Sequence, residues 1–155
     1  MRIAVIGIGN DLRGDDGVGP EFVRTLKENN IHKIISHFPD LSLAELIKDY
    51  DLVIFVDVSI NSNKVEIEEI NQPKTYTLSH HFSIENVFWV CKKMYNHNLK
   101  GYILKIPGYD FGYKKTISQE AKKNMEQAIK VLELFIQNFY LQRGDKGGRE
   151  ENFCG

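Results

Sequence analysis

The chain has 155 residues, the size of one ordinary domain, and a domain this long buries enough surface to fold without disulfide or metal staples. Twenty basic residues stand against twenty-one acidic ones, a balance that excludes the basic footprint of a dedicated nucleic-acid binder. The 42% hydrophobic and 26% charged content is that of a globular protein, and no apolar run approaches the ~20 residues that span a bilayer, so neither nucleic acid nor membrane is expected as a partner.

Residues 2–8 (RIAVIGI) form a short, nearly continuous apolar run, which is how a strand buried on both faces reads. The run is too short for a signal-peptide core and leads into glycines rather than a cleavage site. A helix is expected over residues 18–28, with Val18, Phe22 and Leu26 on one face and Pro20 accommodated in its first turn. Residues 31–36 are a weaker strand, and residues 43–49 a short helix for which Ser42 is the expected N-cap, with Glu45 at the capping-box position. Residues 52–58 (LVIFVDV) repeat the buried-strand pattern. Residues 64–70 alternate imperfectly and predict an edge strand. A helix from Ser83 carries Ile84, Val87, Phe88, Cys91 and Met94, and residues 102–106 are a further strand. The longest helix is expected over residues 118–141, with Ala121, Met125, Ala128, Leu132, Phe135 and Phe139 along one side. Strands alternating with helices predict an α/β fold around a mostly parallel sheet of about five strands. Residues 1–142 would be its single domain, and residues 143–155 (RGDKGGREENFCG), with little to bury, a disordered tail. Two cysteines, Cys91 in a helical pattern and Cys154 in the tail, make no disulfide framework, and a cytoplasmic location is the expectation. Neither the charge pattern nor a heptad points to self-association, so a monomer is expected.

In parallel α/β sheets ligands collect at the carboxyl ends of the strands, and the chemistry-bearing residues fall there. The segment GIGNDLRGDDGVGP, residues 7–20, is longer than the usual 2–6-residue connection and carries Asp15 and Asp16. A dinucleotide fingerprint would need a third glycine where Leu12 stands, and acidic side chains at a helix start repel a phosphate. A plain alternative is that one aspartate N-caps the helix. Asp57 lies near the end of the second buried strand, where a carboxylate is tolerated only at the strand's carboxyl end. His80 and His81 precede the next helix, and in an extended segment only one of them faces a given side. Two carboxylates and one imidazole delivered to one edge make a mixed oxygen and nitrogen site for a divalent metal such as Zn²⁺ or Ni²⁺. Cys91 sits on an apolar helix face and is no activated nucleophile.

The three segments GIGNDLRGDDGVGP, FVDVS and LSHHFS, in this order and spacing, resemble the maturation endopeptidases of nickel-iron hydrogenases, and the resemblance spans roughly residues 1–134. It implies a three-layer α/β sandwich with a twisted, mainly parallel sheet and helices on both faces. The implied activity is removal of a C-terminal extension from the hydrogenase large-subunit precursor, the protein partner, after nickel insertion. The implied metal-contacting and catalytic residues are Asp16, Asp57 and His80, and the implied metal is nickel carried by the substrate, which Zn²⁺ or Cd²⁺ can replace in a crystal. His81 then occupies the family's variable position, while a one-residue slip would exchange the two histidines. Many members carry an Asp-Gly-Gly turn after the second strand, whereas this chain has SHFPD at residues 36–40, so a function tied to that turn does not carry over; His37 is a further candidate for the crevice, against the plainer expectation that it lies at the surface. The segment IPGYDFGYKKTISQEA, residues 106–121, resembles a subset of the family. Two other readings carry different chemistry: a non-catalytic module that checks metal loading of a metalloprotein precursor, and a small-molecule or nucleotide-binding α/β domain, which Leu12 and the acidic loop disfavour.

Overall fold

The computed structural model describes residues 1–73 and 83–144. Its elements run in chain order β1 (Ile3–Ile8), a 3₁₀ turn (Gly14–Gly17), α1 (Val18–Thr25), β2 (Ile31–Ser36), α2 (Leu41–Leu46), β3 (Leu52–Ser59), β4 (Glu66–Glu69), α3 (Ile84–Met94), β5 (Lys100–Pro107) and α4 (Gln119–Gly144). The five strands make one sheet in the order β2-β1-β3-β5-β4. All pairings are parallel except that of β4, which lies antiparallel along β5 at one edge.

Strand side chains alternate between faces, and the two faces have separate cores. On one, Ile3, Val5, Leu52, Ile54, Val56, Leu104 and Ile106 meet Phe22 and Val23 of α1 and Ala121, Met125, Ala128 and Leu132 of α4. On the other, Ala4, Ile6, Val53, Phe55 and Ile103 meet Leu43 and Ala44 of α2 and Val87, Phe88 and Cys91 of α3. Every residue of β1 is buried, as are the first five of β3. This double burial is why both strands read as unbroken apolar runs. The layered sandwich expected from the sequence is the one observed.

Two local expectations need correction. The first helix stops at Thr25, because residues 27–30 supply no further apolar position, and Leu26 remains buried in an extended conformation. The N-cap of α2 is Asp40 rather than Ser42: its Oδ1 accepts the Leu43 N–H at 3.2 Å, while the Ser42 hydroxyl donates to the same oxygen at 2.5 Å. Ser83 does cap α3, accepting the Asn86 N–H at 3.1 Å. The edge-strand expectation for residues 64–70 is met by β4, and α4 extends to Gly144.

The first helix reaches the sheet closely because Gly19 has no side chain. A Cβ there would lie 2.4 Å from the Val56 carbonyl oxygen and 2.5 Å from that of Ile8. Gly19→Ala is therefore expected to cost about 2–3 kcal/mol in denaturant unfolding, as overpacking against backbone does. Gly112→Ala, whose added carbon meets nothing nearer than 3.6 Å, should stay within about 0.5 kcal/mol of the unaltered protein.

Candidate functional site

The parallel sheet sends the carboxyl ends of β1, β3 and β5 to one edge. There the chain leaves β1 for α1 on one face, while the chain beyond β3 reaches α3 on the other, so the loops diverge and leave a crevice between them. Asp57 lies on β3 at this edge, and the loop after β1 brings Asp15 and Asp16 to it within the 3₁₀ turn.

Neither aspartate of the turn caps α1. Its N-cap is Gly17, and no side chain bonds there. Asp15 is instead fully buried and gripped by the segment following β5. Its Oδ2 accepts the N–H groups of Tyr109 at 2.7 Å and Asp110 at 3.0 Å and the Ser118 hydroxyl at 2.7 Å, and its Oδ1 accepts the Ser118 N–H at 2.7 Å. The backbones add further ties: Asp15 N–H donates to the Asp110 carbonyl at 2.7 Å and Gly14 N–H to that of Lys114 at 2.8 Å. Gly14 takes φ +57°, and a Cβ on it would stand 2.3 Å from the Asp110 carbonyl oxygen. Only glycine meets both demands.

Asp16 is half-buried, and its Oδ2 accepts the Asn10 N–H at 3.0 Å. Asp57 is also half-buried, with Oδ1 accepting the Val58 N–H at 2.9 Å. Among the described residues, each carboxylate thus commits one oxygen to a backbone N–H and leaves the other without a hydrogen-bond partner. That is a donor set suited to a divalent cation. Asp57 lines a cavity of about 420 Å³, with Ser59, Glu85 and Lys105 also on its wall and Ile8, Ile84 and Ile103 supplying apolar surface. Burial, opposed by the Val58 N–H, raises the Asp57 pKa to about 6, with the negative charges of Asp16 and Glu85 adding to the rise and Lys105 opposing it. The structure therefore sets Asp16 and Asp57 within electrostatic reach of each other.

His80 and His81, for either of which a ligand role is expected, lie outside the described residues. Among the described residues, no three histidine, cysteine, aspartate or glutamate side chains are grouped as a metal centre. His37 is exposed beside the first loop, its Nδ1 3.4 Å from the Gly9 carbonyl oxygen and its charge acting on Asp11. Cys91 is buried, and burial pushes its thiol up to about 11, which leaves it inert as a nucleophile near neutral pH. Glu85 and the three residues that hold Asp15 escape a reading of the sequence. Glu85 looks like an ordinary acid in a helix's first turn, and the partners of Asp15 lie 94 to 103 positions away, with no local pattern to announce them.

Asp15 and Asp57 should give opposite pH signatures. Burial alone would raise the Asp15 pKa, but the donors from Ser118, Tyr109 and Asp110 outweigh it and lower it. Its stabilisation is present above the ordinary carboxylate pKa of ~4 and is lost as pH falls through the depressed value. For Asp57, the unfolded chain releases its proton near pH ~4 while the native protein holds it to about 6, so native stability falls between these values as pH rises, by up to about 3 kcal/mol. Asp57→Asn is expected to exceed the unaltered protein in stability at pH 7 by about 1–2 kcal/mol and to lose that advantage below pH ~4, as read by urea unfolding across the range.

No protein-family model matches the chain, and no curated protein matches it. Solved structures do. The hydrogenase maturating endopeptidase HybD from E. coli superposes with a TM-score of 0.72 at 15% identity, covering 89% of this chain and 93% of that one. The nickel-iron hydrogenase maturation protease HycI from Thermococcus kodakarensis gives 0.63 at 20% identity, over 84% and 89% of the two chains. A hydrogenase 2 maturation peptidase from a Thaumarchaeota archaeon gives 0.62 at 18%, over 88% and 99%. The fold of this chain is thus the fold of the hydrogenase maturation proteases.

Proposed function

We propose that the protein is an endopeptidase that removes the C-terminal extension from the large-subunit precursor of a nickel-iron hydrogenase after nickel has been inserted, reading the bound nickel through Asp16, Asp57 and His80. The observation that carries this reading is the pair of aspartates at one sheet edge, each with one oxygen fixed by a backbone N–H and one oxygen without a partner among the described residues. A pair so arranged presents two negative, pre-oriented donors to a cation entering from outside, and a histidine supplies the nitrogen that nickel favours. The metal belongs to the substrate. Bound there, it would polarise the scissile carbonyl and acidify a water, which permits amide hydrolysis without a serine or cysteine nucleophile. The buried, raised Cys91 thiol accords with such a route. The cavity beside Asp57, part apolar and part polar, offers room for a substrate segment next to the carboxylates. A cytoplasmic location belongs to the same reading, and no described helix is long and apolar enough to cross a membrane.

The test is incubation with a nickel-loaded large-subunit precursor, following the released C-terminal peptide by mass spectrometry. Asp16→Ala, Asp57→Ala and His80→Ala are each expected to slow release by about 100-fold or more, while His81→Ala and Cys91→Ala cleave normally. A precursor without nickel should remain intact. Undiminished cleavage by the aspartate variants would sink the site, loss in His81→Ala alone would exchange the two histidines, and nickel-dependent binding without cleavage would turn the protein into a checkpoint for metal loading.

A further inference from the structure

We propose that Asp15 is a positioning residue, whose buried carboxylate holds Asp16 at the sheet edge by locking the loop after β1 onto the segment after β5; its catalytic consequence rests on the peptidase reading above. The geometry demands a carboxylate at this place. All four hydrogen bonds to the side chain come from donors, with three converging on Oδ2 and one on Oδ1. An asparagine, turned either way, would point its own N–H₂ group at an N–H donor, so the amide cannot replace the acid. Among the described residues no cation pairs with Asp15, and neutral donors alone satisfy its charge.

The lock acts on Asp16 and on Asp57. Asp16 follows Asp15 in the same tight turn, where its N–H donates to the Arg13 carbonyl at 3.1 Å and its Oδ2 takes the Asn10 N–H. On the other side, Gly108 is wedged over the end of β3: its N–H donates to the Ser59 carbonyl at 3.0 Å, and a Cβ on it would stand 2.5 Å from Val58 and 2.9 Å from the Asp15 side chain. Asp57 lies in the strand thus overlaid. One buried carboxylate therefore sets where the two working carboxylates stand, and displacements of about 1 Å in such an arrangement cost about 10²-fold in rate.

Asp15→Asn is compared with Leu132→Val, a core truncation remote from the edge, in full-length ¹⁵N-labelled protein. The probe is the Asn10 amide, which donates to Asp16. If Asp15 positions Asp16, its proton signal moves and its exchange accelerates about tenfold or more in Asp15→Asn, and neither happens in Leu132→Val. An unmoved Asn10 signal in folded Asp15→Asn, or the same change in both variants, overturns the proposal. Should Asp15→Asn not fold, Ser118→Ala removes one donor, keeps the three backbone N–H groups, and must produce the same signature in smaller measure. On the nickel-loaded precursor, Asp15→Asn is expected to lower kcat about 10²-fold with KM changed less than about threefold, and to cost clearly less when added to Asp16→Ala, where only the share acting through Asp57 remains. Full additivity in the double variant would overturn the positioning of Asp16 by Asp15. If the unaltered protein cuts no precursor, the peptidase reading fails, while the Asn10 signal still decides whether Asp15 positions its neighbour.

Discussion

The parallel pairing of β1 with β3, in register from Ile3 opposite Leu52 to Gly7 opposite Val56, is the constraint on which the rest of this protein turns. It requires the chain to return to the starting edge before β3 begins, which it does through α1 and again through α2, so these helices are crossover material as well as core. It also requires the two loops that leave the paired strands to emerge side by side. The Gly19 gap lets α1 sit so close to these strands that the loop after β1 has little slack. Position in the fold is thereby converted into position at the site.

The same residue type performs opposite work at this edge because the donors around it differ. Asp15 has four, and is held charged although fully buried. Asp57 has the Val58 N–H against burial and two neighbouring negative charges, and its proton is held to about 6. A carboxylate that is fully satisfied is finished chemically and can only support its surroundings. One that is incompletely satisfied retains affinity for whatever charge arrives. The division of labour between adjacent Asp15 and Asp16 follows from this difference in hydrogen bonding.

This difference also marks the boundary of what the amino-acid sequence discloses. The strands β1 and β3, the long helix α4 and the acidic edge strand were legible because burial on one or two faces imposes a period on the chain. The loop of residues 7–20 was recognisable as more than a turn, and Asp57 as a carboxylate that had to lie at a strand end. Asp15 could be read only as a helix cap or a ligand, since nothing local points to donors on Tyr109, Asp110 and Ser118. The substitution of Asp40 for Ser42 as cap of α2 is a subtler instance. Both residues have suitable side chains, and the choice depends on which one stays extended, Asp40 with φ −149° and ψ 178°.

The outer strand β4 bears on how another chain can meet this one. Three of its four residues are glutamates, Glu66, Glu68 and Glu69, and Lys105 of the adjoining strand takes up the charge of Glu68. A second copy approaching this border would bring a matching row of negative charge against it, and the strand is too short to reward the pairing with many backbone bonds. Propagation of the sheet from molecule to molecule is thus discouraged on this side at the cost of four residues. An extended peptide gains little by lying down as a sixth strand here, which leaves the crevice at the carboxyl end as the more hospitable entry for a visiting chain.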